Sequence, residues 1–447
     1  MKEKFINIMF ILVAFAVSTN AQNIKTVNME FSDDLSTKLG EDRYNIDSLV
    51  ITGNLSHTAF PVICDCVRKG KLTGIDMSQC NVENDSIPEN GLMVTMQAHQ
   101  VNEHCIKGLK LPRNLRAIGK HGLGHLHVST LEIPSSLRVI DDNAFDFCWH
   151  VSGTLVIPEG VETLGREAFY DWYSIESVKF PSSLRKIGYM SFSGLTSVNE
   201  LKFNDGLEEI GNNAFERGLY NIKEIRIPES VTTIGKYAFY GEKYLDTVVL
   251  PSNLQNLAEG VFSDCFINNI VWPSHLEVME PYCIDNFTGS CLYLPEGLKE
   301  IKDNVLQNVD LANTITLPLS LGQIGANVFA KTSHLKALYA KNPIPPILPV
   351  NITSLNCDWW FNNLPADATL YVPIGSANLY RECVAFKNFK NIIETNDFPT
   401  SIDNVEQQVK DAKSMNYVYT IDGKSVGTNV KSGKKGIYLI NGKKILR

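Results

Sequence analysis

The sequence has fewer basic than acidic residues and, beyond residue 17, no hydrophobic run long enough to cross a membrane. Its 41 lysines and arginines stand against 49 aspartates and glutamates, so the net charge is −8. Proteins that bind nucleic acid need a basic surface, and this balance argues against that class. No transmembrane segment is expected in the mature protein.

Catalytic motifs are also missing. The chain has no Gly-x-Ser-x-Gly elbow, no Gly-x-x-x-x-Gly-Lys phosphate loop, no His-Glu-x-x-His helix and no EF-hand loop. Its acidic residues are scattered over variable positions, so no pair of catalytic carboxylates stands out. We therefore predict that the protein is not an enzyme and uses no cofactor.

Residues 1–21 have the composition of a signal peptide. Two lysines precede an apolar run over 5–17, and small residues at 19–21 offer a cleavage site. No cysteine follows that site, which argues against lipid attachment there. The mature protein is therefore expected to be exported.

The centre of the chain repeats one pattern ten times between Leu109 and Leu335. The pattern is Leu-x-Leu-Pro-x-x-Leu-x-x-Ile-Gly-x-x-Ala-Phe, and its proline position recurs every 22 to 24 residues. A period this short holds one strand and one return path, which predicts a β-rich solenoid whose repeats bury their cores against each other. The proline column consists of Pro112, Pro134, Pro158, Pro181, Asn204, Pro228, Pro251, Pro273, Pro295 and Pro318.

Each repeat is expected to begin with a strand that ends at the proline. In the second repeat, Leu131 and Ile133 would point inward and Glu132 outward, because side chains alternate along a strand. Pro134 then ends the strand, since proline cannot donate to the ladder. The large residue at the end of each repeat is expected to fill the interior. This column reads Phe145, Phe169, Phe192, Phe215, Phe239, Phe262, Ile284, Leu306 and Phe329.

Segments on both sides of the repeats look like caps, which an open solenoid needs to shield its end cores. In the C-terminal cap we expect a strand at 370–372 and a helix over 377–393. Asp-Gly and Asn-Gly pairs near the end of the chain indicate tight turns after strands. The predicted parts are a signal peptide (1–21), an N-terminal cap with a degenerate repeat (22–105), ten repeats (106–341), a C-terminal cap (342–395), a linker (396–414) and a small β tail or sorting signal (415–447).

The ten cysteines do not indicate a general disulfide framework. Cys148 and Cys265 occupy the same column five repeats apart, about 24 Å at strand spacing, whereas a bridge needs Cα atoms within ~7 Å. They are expected to be small buried hydrophobic residues. Cys283 with Cys291 is the one pairing that could be tested.

The repeated pattern resembles the BspA-like class of leucine-rich repeats, which is common in cell-surface proteins of Bacteroidetes and other bacteria. The segments Leu338-Tyr-Ala-Lys-Asn-Pro343 and Leu370-Tyr-Val-Pro373 are similar to the closing segment of that family. The residues Lys435-Gly-Ile-Tyr438 and Asn441-Gly-Lys-Lys444 resemble the end of a Bacteroidetes C-terminal sorting domain, in a shorter form. The resemblance implies a leucine-rich repeat solenoid that adheres to host matrix proteins, other bacteria or host receptors, without catalytic residues. It also implies a location at the cell surface or in the extracellular space, in association with the outer membrane.

If the strands form a parallel sheet on the concave face, the residue two positions before each proline points outward. This column changes character along the chain, from charged to uncharged near Thr247. An exposed apolar run on a sheet usually marks a partner site, although β-propensity or a covering loop would also place Val and Thr there. The hypothesis is that a protein partner binds to the uncharged part of this column. The basic part would then select partners by their charge. The basic positions are Lys179, Lys202 and Arg226, and the uncharged positions are Val249, Val271, Tyr293 and Thr316.

Aromatic residues in the loops after the Ala-Phe step leave a carbohydrate-binding function open. The alternative is packing in the core or between turns, since Trp172 shares the column of Cys148. The candidates for glycan contact are Trp149, Tyr170, Tyr173 and Tyr240.

His121, His125 and His127 would suit a transition metal if they shared a helix face. The intervening glycines at 122 and 124 favour a loop, and no carboxylate lies among the histidines. We therefore predict no metal site.

Overall fold

The computed structural model describes residues 23–94, 105–349, 360–361 and 363–399, and the backbone of four short strands between 418 and 446. The predicted signal peptide and most of the predicted linker lie outside these residues. The described chain forms a parallel β-solenoid of about 15 turns with little helix, which confirms the predicted fold class. No helix in this part of the chain is long and apolar enough to span a membrane.

The N-terminal cap packs two short helices against three parallel strands. The first helix begins at Leu35 and is capped by Asp34, whose carboxylate accepts hydrogen bonds from the amides of Ser36 and Thr37. The second helix buries one apolar face, which includes Phe60 and Ile63. The elements of the cap are β1 (Ile24–Met29), α1 (Leu35–Leu39), β2 (Ser48–Leu55), α2 (Ala59–Lys69) and β3 (Gly74–Val82).

Each following turn contributes up to two strands. The strand before the proline column belongs to one parallel sheet, which we name the A sheet. A two-residue strand at the Leu-x-x-Ile step belongs to a second parallel sheet, which we name the B sheet. The strands are β4 (Ser86–Ile87), β5 (Gly108–Lys110), β6 (Ala117–Ile118), β7 (Val139–Ile140), β8 (Gly153–Val156), β9 (Thr163–Leu164), β10 (Ile175–Lys179), β11 (Lys186–Ile187), β12 (Glu200–Lys202), β13 (Glu209–Ile210), β14 (Glu224–Arg226), β15 (Thr233–Ile234), β16 (Thr247–Val249), β17 (Asn256–Leu257), β18 (Asn269–Val271), β19 (Val278–Met279), β20 (Cys291–Tyr293), β21 (Glu300–Ile301), β22 (Thr314–Leu317), β23 (Gln323–Ile324) and β24 (Ala337–Ala340).

The C-terminal cap adds β25 (Thr369–Val372), α3 (Ala377–Glu382) and β26 (Asn391–Glu394). The strand expected at 370–372 is present, but of the helix expected over 377–393 only the first six residues are α-helical, so the prediction is wrong for the rest. Helix α3 ends at Glu382, and β26 instead pairs with β25 as the last strand of the A sheet. Pairing gives the backbone of β26 the hydrogen-bond partners that a helix would otherwise have supplied.

The A sheet is divided into four segments. Their strand orders are β1-β2-β3-β5, β8-β10-β12, β14-β16-β18 and β20-β22-β24-β25-β26. The expected strand at 131–133 is not formed, and both inward residues there are only half-buried. The alternation of apolar and polar residues determines which side chains face inward. A strand also needs backbone hydrogen bonds to strands of the neighbouring turns. The B sheet runs β4-β6-β7-β9-β11-β13-β15 and then β17-β19-β21-β23.

The core contains a continuous stack of phenylalanine rings. From Phe145 to Phe262, neighbouring ring centroids lie 5.2 to 5.5 Å apart and the planes are close to parallel. All members of the column are buried, including Ile284 and Leu306. The prediction that this column fills the interior is confirmed. Phe361 continues the stack beyond Phe329, at a centroid distance of 5.4 Å.

The turn around each phenylalanine also joins neighbouring repeats. In the Phe215 repeat, Asn213 and Arg217 have positive φ angles of 55° and 50°. The amides of residues 213, 215 and 217 donate to carbonyls of the next turn at 2.8 to 2.9 Å. Many repeats have non-glycine residues with positive φ in the turn around the phenylalanine. This backbone conformation is uncommon for residues other than glycine.

The tail contributes a separate antiparallel sheet. Its strands are β27 (Val418–Thr420), β28 (Ser425–Gly427), β29 (Ile437–Ile440) and β30 (Lys443–Leu446), in the order β28-β27-β29-β30. The Asp-Gly and Asn-Gly turns fall outside the described residues. Two of the antiparallel pairs, β27 with β28 and β29 with β30, have the hairpin arrangement that those turns predict.

Candidate binding surfaces

The outward side chains of the A sheet form columns along the solenoid. Lys179 pairs in register with Lys202, and Val249 pairs with both Arg226 and Val271. Residues in one column therefore lie on neighbouring strands, about 4.8 Å apart. Within each segment of the A sheet, a column is therefore a continuous surface rather than a set of isolated positions.

The first part of this surface is charged, as predicted. Lys179, Lys202 and Arg226 are all exposed. Arg226 makes an ion pair with Glu224 on its own strand. Lys202 and Arg226 belong to different segments of the sheet, so no ladder joins their strands. The three basic residues line one side of a surface that also contains acidic residues.

The second part of the surface carries no charge, and it is longer than the sequence pattern indicated. Neither outward column has a charged residue from β16 to β26. The uncharged positions are Thr247, Val249, Asn269, Val271, Cys291, Tyr293, Thr314, Thr316, Ala337, Tyr339, Thr369, Tyr371, Asn391 and Ile393. The change of character near Thr247 thus extends to the last strand of the A sheet.

Two tyrosines on this surface were missed as site residues. Tyr339 pairs with Tyr371, and their rings stack with centroids 4.6 Å apart and planes 13° apart. Tyr371 lies two residues before Pro373, so extending the proline rule into the C-terminal cap would have found it. We name the half-buried residues of this column the apolar ridge. The apolar ridge consists of Val249, Val271, Tyr293, Tyr339 and Tyr371.

Thr316 does not belong to the accessible surface, contrary to expectation. Its side chain is 2% exposed, although it lies in the same column as the apolar ridge. It pairs in register with Tyr293 on one side and Tyr339 on the other, and both neighbours are much larger. Its buried hydroxyl oxygen has no hydrogen-bond partner in the described structure. A partner would contact the flanking rings before it reached Thr316.

The loop aromatics do not form one site. Trp149 and Tyr173 are each 40% exposed, and their ring centroids lie 6.4 Å apart with planes at 21°. Tyr170 is half-buried, with its ring edge against Phe147 at 5.2 Å. Tyr240 is covered by Arg217, whose guanidinium lies 4.9 Å from the ring centroid. Of the four predicted glycan-contact residues, only Trp149 and Tyr173 come together on the surface.

Trp172 packs in the core, which was the alternative to glycan binding for the loop aromatics. It is buried, and its indole nitrogen donates a 2.5 Å hydrogen bond to the carbonyl of Phe145. Two histidines instead join the exposed aromatic pair. His127 stacks on His150 at 5.0 Å and lies 6.4 Å from Trp149.

The histidine cluster lies in loops, as the glycines indicated. His121 and His125 have positive φ angles of 52° and 60°. His121 Nδ1 lies 3.3 Å from an oxygen of Asp146, a buried carboxyl whose pKa is raised to about 6 by burial. In the described part of the chain, no group of three or more His, Cys, Asp or Glu side chains could hold a metal ion.

Cys283 is buried and is not part of a disulfide. The one disulfide pairing considered is therefore not formed. Cys148 and Cys265 are buried, and burial raises the pKa of both thiols. These two cysteines are confirmed as small buried residues that are poor nucleophiles.

An unexpected carboxyl occupies the same buried column. Glu242 is fully buried three residues after Phe239, where other repeats have Cys148 or Cys265. Its two oxygens accept hydrogen bonds from the amides of Gly218 and Leu219 at 2.9 and 2.8 Å. The pKa of Glu242 is nevertheless raised to about 8, mainly because burial disfavours the charged form.

These features define a solenoid of leucine-rich repeats whose surface columns, rather than its core, differ between its two halves. A family model described as the BspA type leucine-rich repeat region (6 copies) matches residues 77–180, 162–291 and 285–348. These matches span more than half of the chain. The chain belongs to the BspA-type leucine-rich repeat family.

Several solved structures are similar to this chain. A leucine-rich repeat protein from Bacteroides ovatus is 20% identical over 68% of this chain and 87% of its own, with a TM-score of 0.38. The pneumococcal vaccine antigen PcpA is 19% identical over 85% and 96%, with a TM-score of 0.41. A leucine-rich cell surface protein from Faecalibacterium prausnitzii is 15% identical over 78% and 92%, with a TM-score of 0.30. No curated protein matches the chain.

Proposed function

We propose that this protein is exported to the cell surface, where it binds a protein partner through the apolar ridge. The observation that carries the proposal is the unbroken lack of charge over the outward columns from β16 to β26. Apolar and aromatic side chains without charge are typical of the centre of a protein interface. A host matrix protein or a bacterial surface protein would provide such a partner.

The charged part of the A sheet supports the second element of the proposal. Exposed basic residues at the rim of an interface act mainly on the rate of association and on its salt dependence. Lys179 and Lys202 lie in register on adjacent strands and present two positive charges together. Reversing both to glutamate should slow association and weaken its dependence on salt, while the dissociation rate changes little.

The stacking of two tyrosines on paired strands supports the interpretation of the apolar ridge as a preformed surface. The stacked pair Tyr339 and Tyr371 is held on two hydrogen-bonded strands, so little conformational freedom is lost on binding. Large rings fixed in this way are common among residues that dominate binding energy. We therefore expect the tyrosines to contribute more to affinity than the two valines.

The decisive test compares two valines of the same column. Val271→Asp places a charge on the apolar ridge, whereas Val156→Asp places one on the charged part, where the wild-type valine is 52% exposed. Immobilised fibronectin, laminin and fibrinogen, and the surface of whole bacteria, serve as probes in biolayer interferometry. We expect Val271→Asp to abolish binding and Val156→Asp to keep it.

Binding that survives Val271→Asp, in a variant with a wild-type melting temperature, would overturn the proposed surface. Failure of the wild-type protein to bind any of these probes would overturn the proposed function. Export is tested separately by protease treatment of intact cells, which should degrade the protein. A truncation that removes 415–447 should release it into the medium or retain it inside the cell if the tail is a sorting signal.

A further inference from the structure

The exposed aromatic residues on the loop edge form a second surface, distinct from the apolar ridge. Trp149 and Tyr173 come from successive turns, and His127 and His150 extend the group toward the N-terminal cap. Trp149 and Tyr173 are each 40% exposed, whereas the residues that precede them, Cys148 and Trp172, are buried. The core therefore fixes the position of the exposed pair.

Hydrogen-bonding groups surround these two rings. The side chain of Tyr173 lies beside Asp171, whose carboxyl is half-buried. His150 is exposed and His127 is half-buried, so ring nitrogens lie on the other side of Trp149. A carboxylate and imidazoles can accept or donate hydrogen bonds to several hydroxyl groups at once. The group thus combines apolar rings with directional polar partners.

We propose that this loop edge binds a neutral carbohydrate across Trp149 and Tyr173. A sugar ring has an apolar face of C–H groups, which packs on aromatic rings, and a rim of hydroxyls, which needs polar partners. The loop edge offers both, whereas it exposes no aliphatic ridge of the kind found on the A sheet. A protein partner is therefore the less suitable occupant of this surface.

The charges of the site favour a neutral sugar over an acidic one. Asp171 lies beside Tyr173, where its carboxylate would repel a carboxylated or sulfated sugar. Burial, followed by the neighbouring His150 and Lys107, lowers the pKa of His127 and so favours the uncharged ring. Sialylated glycans are accordingly expected to be excluded.

Gly194 marks the end of the site. Any Cβ at this position would lie 2.5 Å from an oxygen of Asp171 and 3.4 Å from a ring carbon of Tyr173. The absence of a side chain there leaves room beside both groups. On the following turns, Tyr220 and Tyr244 are exposed but meet edge to face at 6.5 Å, so they do not continue the near-parallel pair.

The test uses the full chain on an array of neutral oligosaccharides of glucose, mannose, galactose and N-acetylglucosamine, with sialylated glycans alongside. Trp149→Ala and Tyr173→Ala remove the two rings. Tyr244→Ala is the matched control, because it removes a tyrosine that is 65% exposed on the same edge. Trp149→Phe retains a ring at the first position.

We expect binding to one or more neutral oligosaccharides, weakened about tenfold or more by each ring deletion and partly restored by Trp149→Phe. Tyr244→Ala and Val271→Asp should bind like the wild type, which separates this site from the apolar ridge. No binding on the array, binding to sialylated glycans alone, or equal binding by folded Trp149→Ala would each overturn the proposal.

Discussion

Replacing Phe215 by alanine tests how the solenoid is stabilised. The ring is fully buried and stacks between Phe192 and Phe239 at 5.5 and 5.4 Å, with Phe203 edge-on at 5.5 Å. Burying such a ring contributes about 2 kcal/mol by transfer, and the cavity left by its removal adds to the loss. We expect Phe215→Ala to lower the free energy of unfolding by about 3–5 kcal/mol.

Equilibrium urea unfolding, followed by circular dichroism, measures this change. Since each repeat contacts only its neighbours, hydrogen exchange should show the largest loss of protection in the turns next to Phe215. Tyr244→Ala, at an exposed tyrosine, should change the free energy by no more than about 0.5 kcal/mol. A loss below about 1 kcal/mol in Phe215→Ala would refute the idea that the ring stack carries the stability of the core.

Two further predictions concern buried positions. The pKa of Glu242 is raised from 4.5 to about 8 in the folded protein, so the folded state holds a proton that the unfolded state releases, and stability should fall as the pH rises between these values. Urea unfolding of Glu242→Gln should show a smaller pH dependence over this range, and an unchanged dependence would contradict the assignment. A Cβ at Gly188 would lie 2.6 Å from the carbonyl oxygens of Leu164 and Gly165, so Gly188→Ala should destabilise the protein by about 1–3 kcal/mol. A wild-type thermal unfolding curve for that variant would show that neighbouring turns can separate at no cost.

The interior of the solenoid could be predicted from the sequence because it depends on repetition. A large apolar residue at one position in nine successive repeats has to stack, and the Phe145–Phe262 rings do so. The burial of Cys148 and Cys265 followed from the same columns. Glu242 is a charged residue type at a position that is small or apolar in other repeats. Its burial depends on hydrogen bonds from two amide groups of the preceding turn, which cannot be read from the pattern at one repeat position.

The surface was less predictable because it depends on contacts between turns. Thr316 has an outward position by alternation, yet larger side chains on both neighbouring strands bury it. At 131–133 the alternation is correct, but the ladder is not formed. Among the loop aromatics, spacing could not tell that Arg217 covers Tyr240 while Trp149 stays accessible. These outcomes depend on side-chain size in adjacent repeats.

The most direct test of the apolar ridge is site-specific crosslinking to the matrix or bacterial surface protein that the binding panel identifies. A photo-crosslinking phenylalanine derivative replaces Tyr339 in one variant and the loop-edge Tyr244 in another. We expect a covalent adduct with the partner from position 339 and none from position 244. An adduct from position 244 alone, or none from 339 in a variant that still binds, would show that the apolar ridge is not the binding surface.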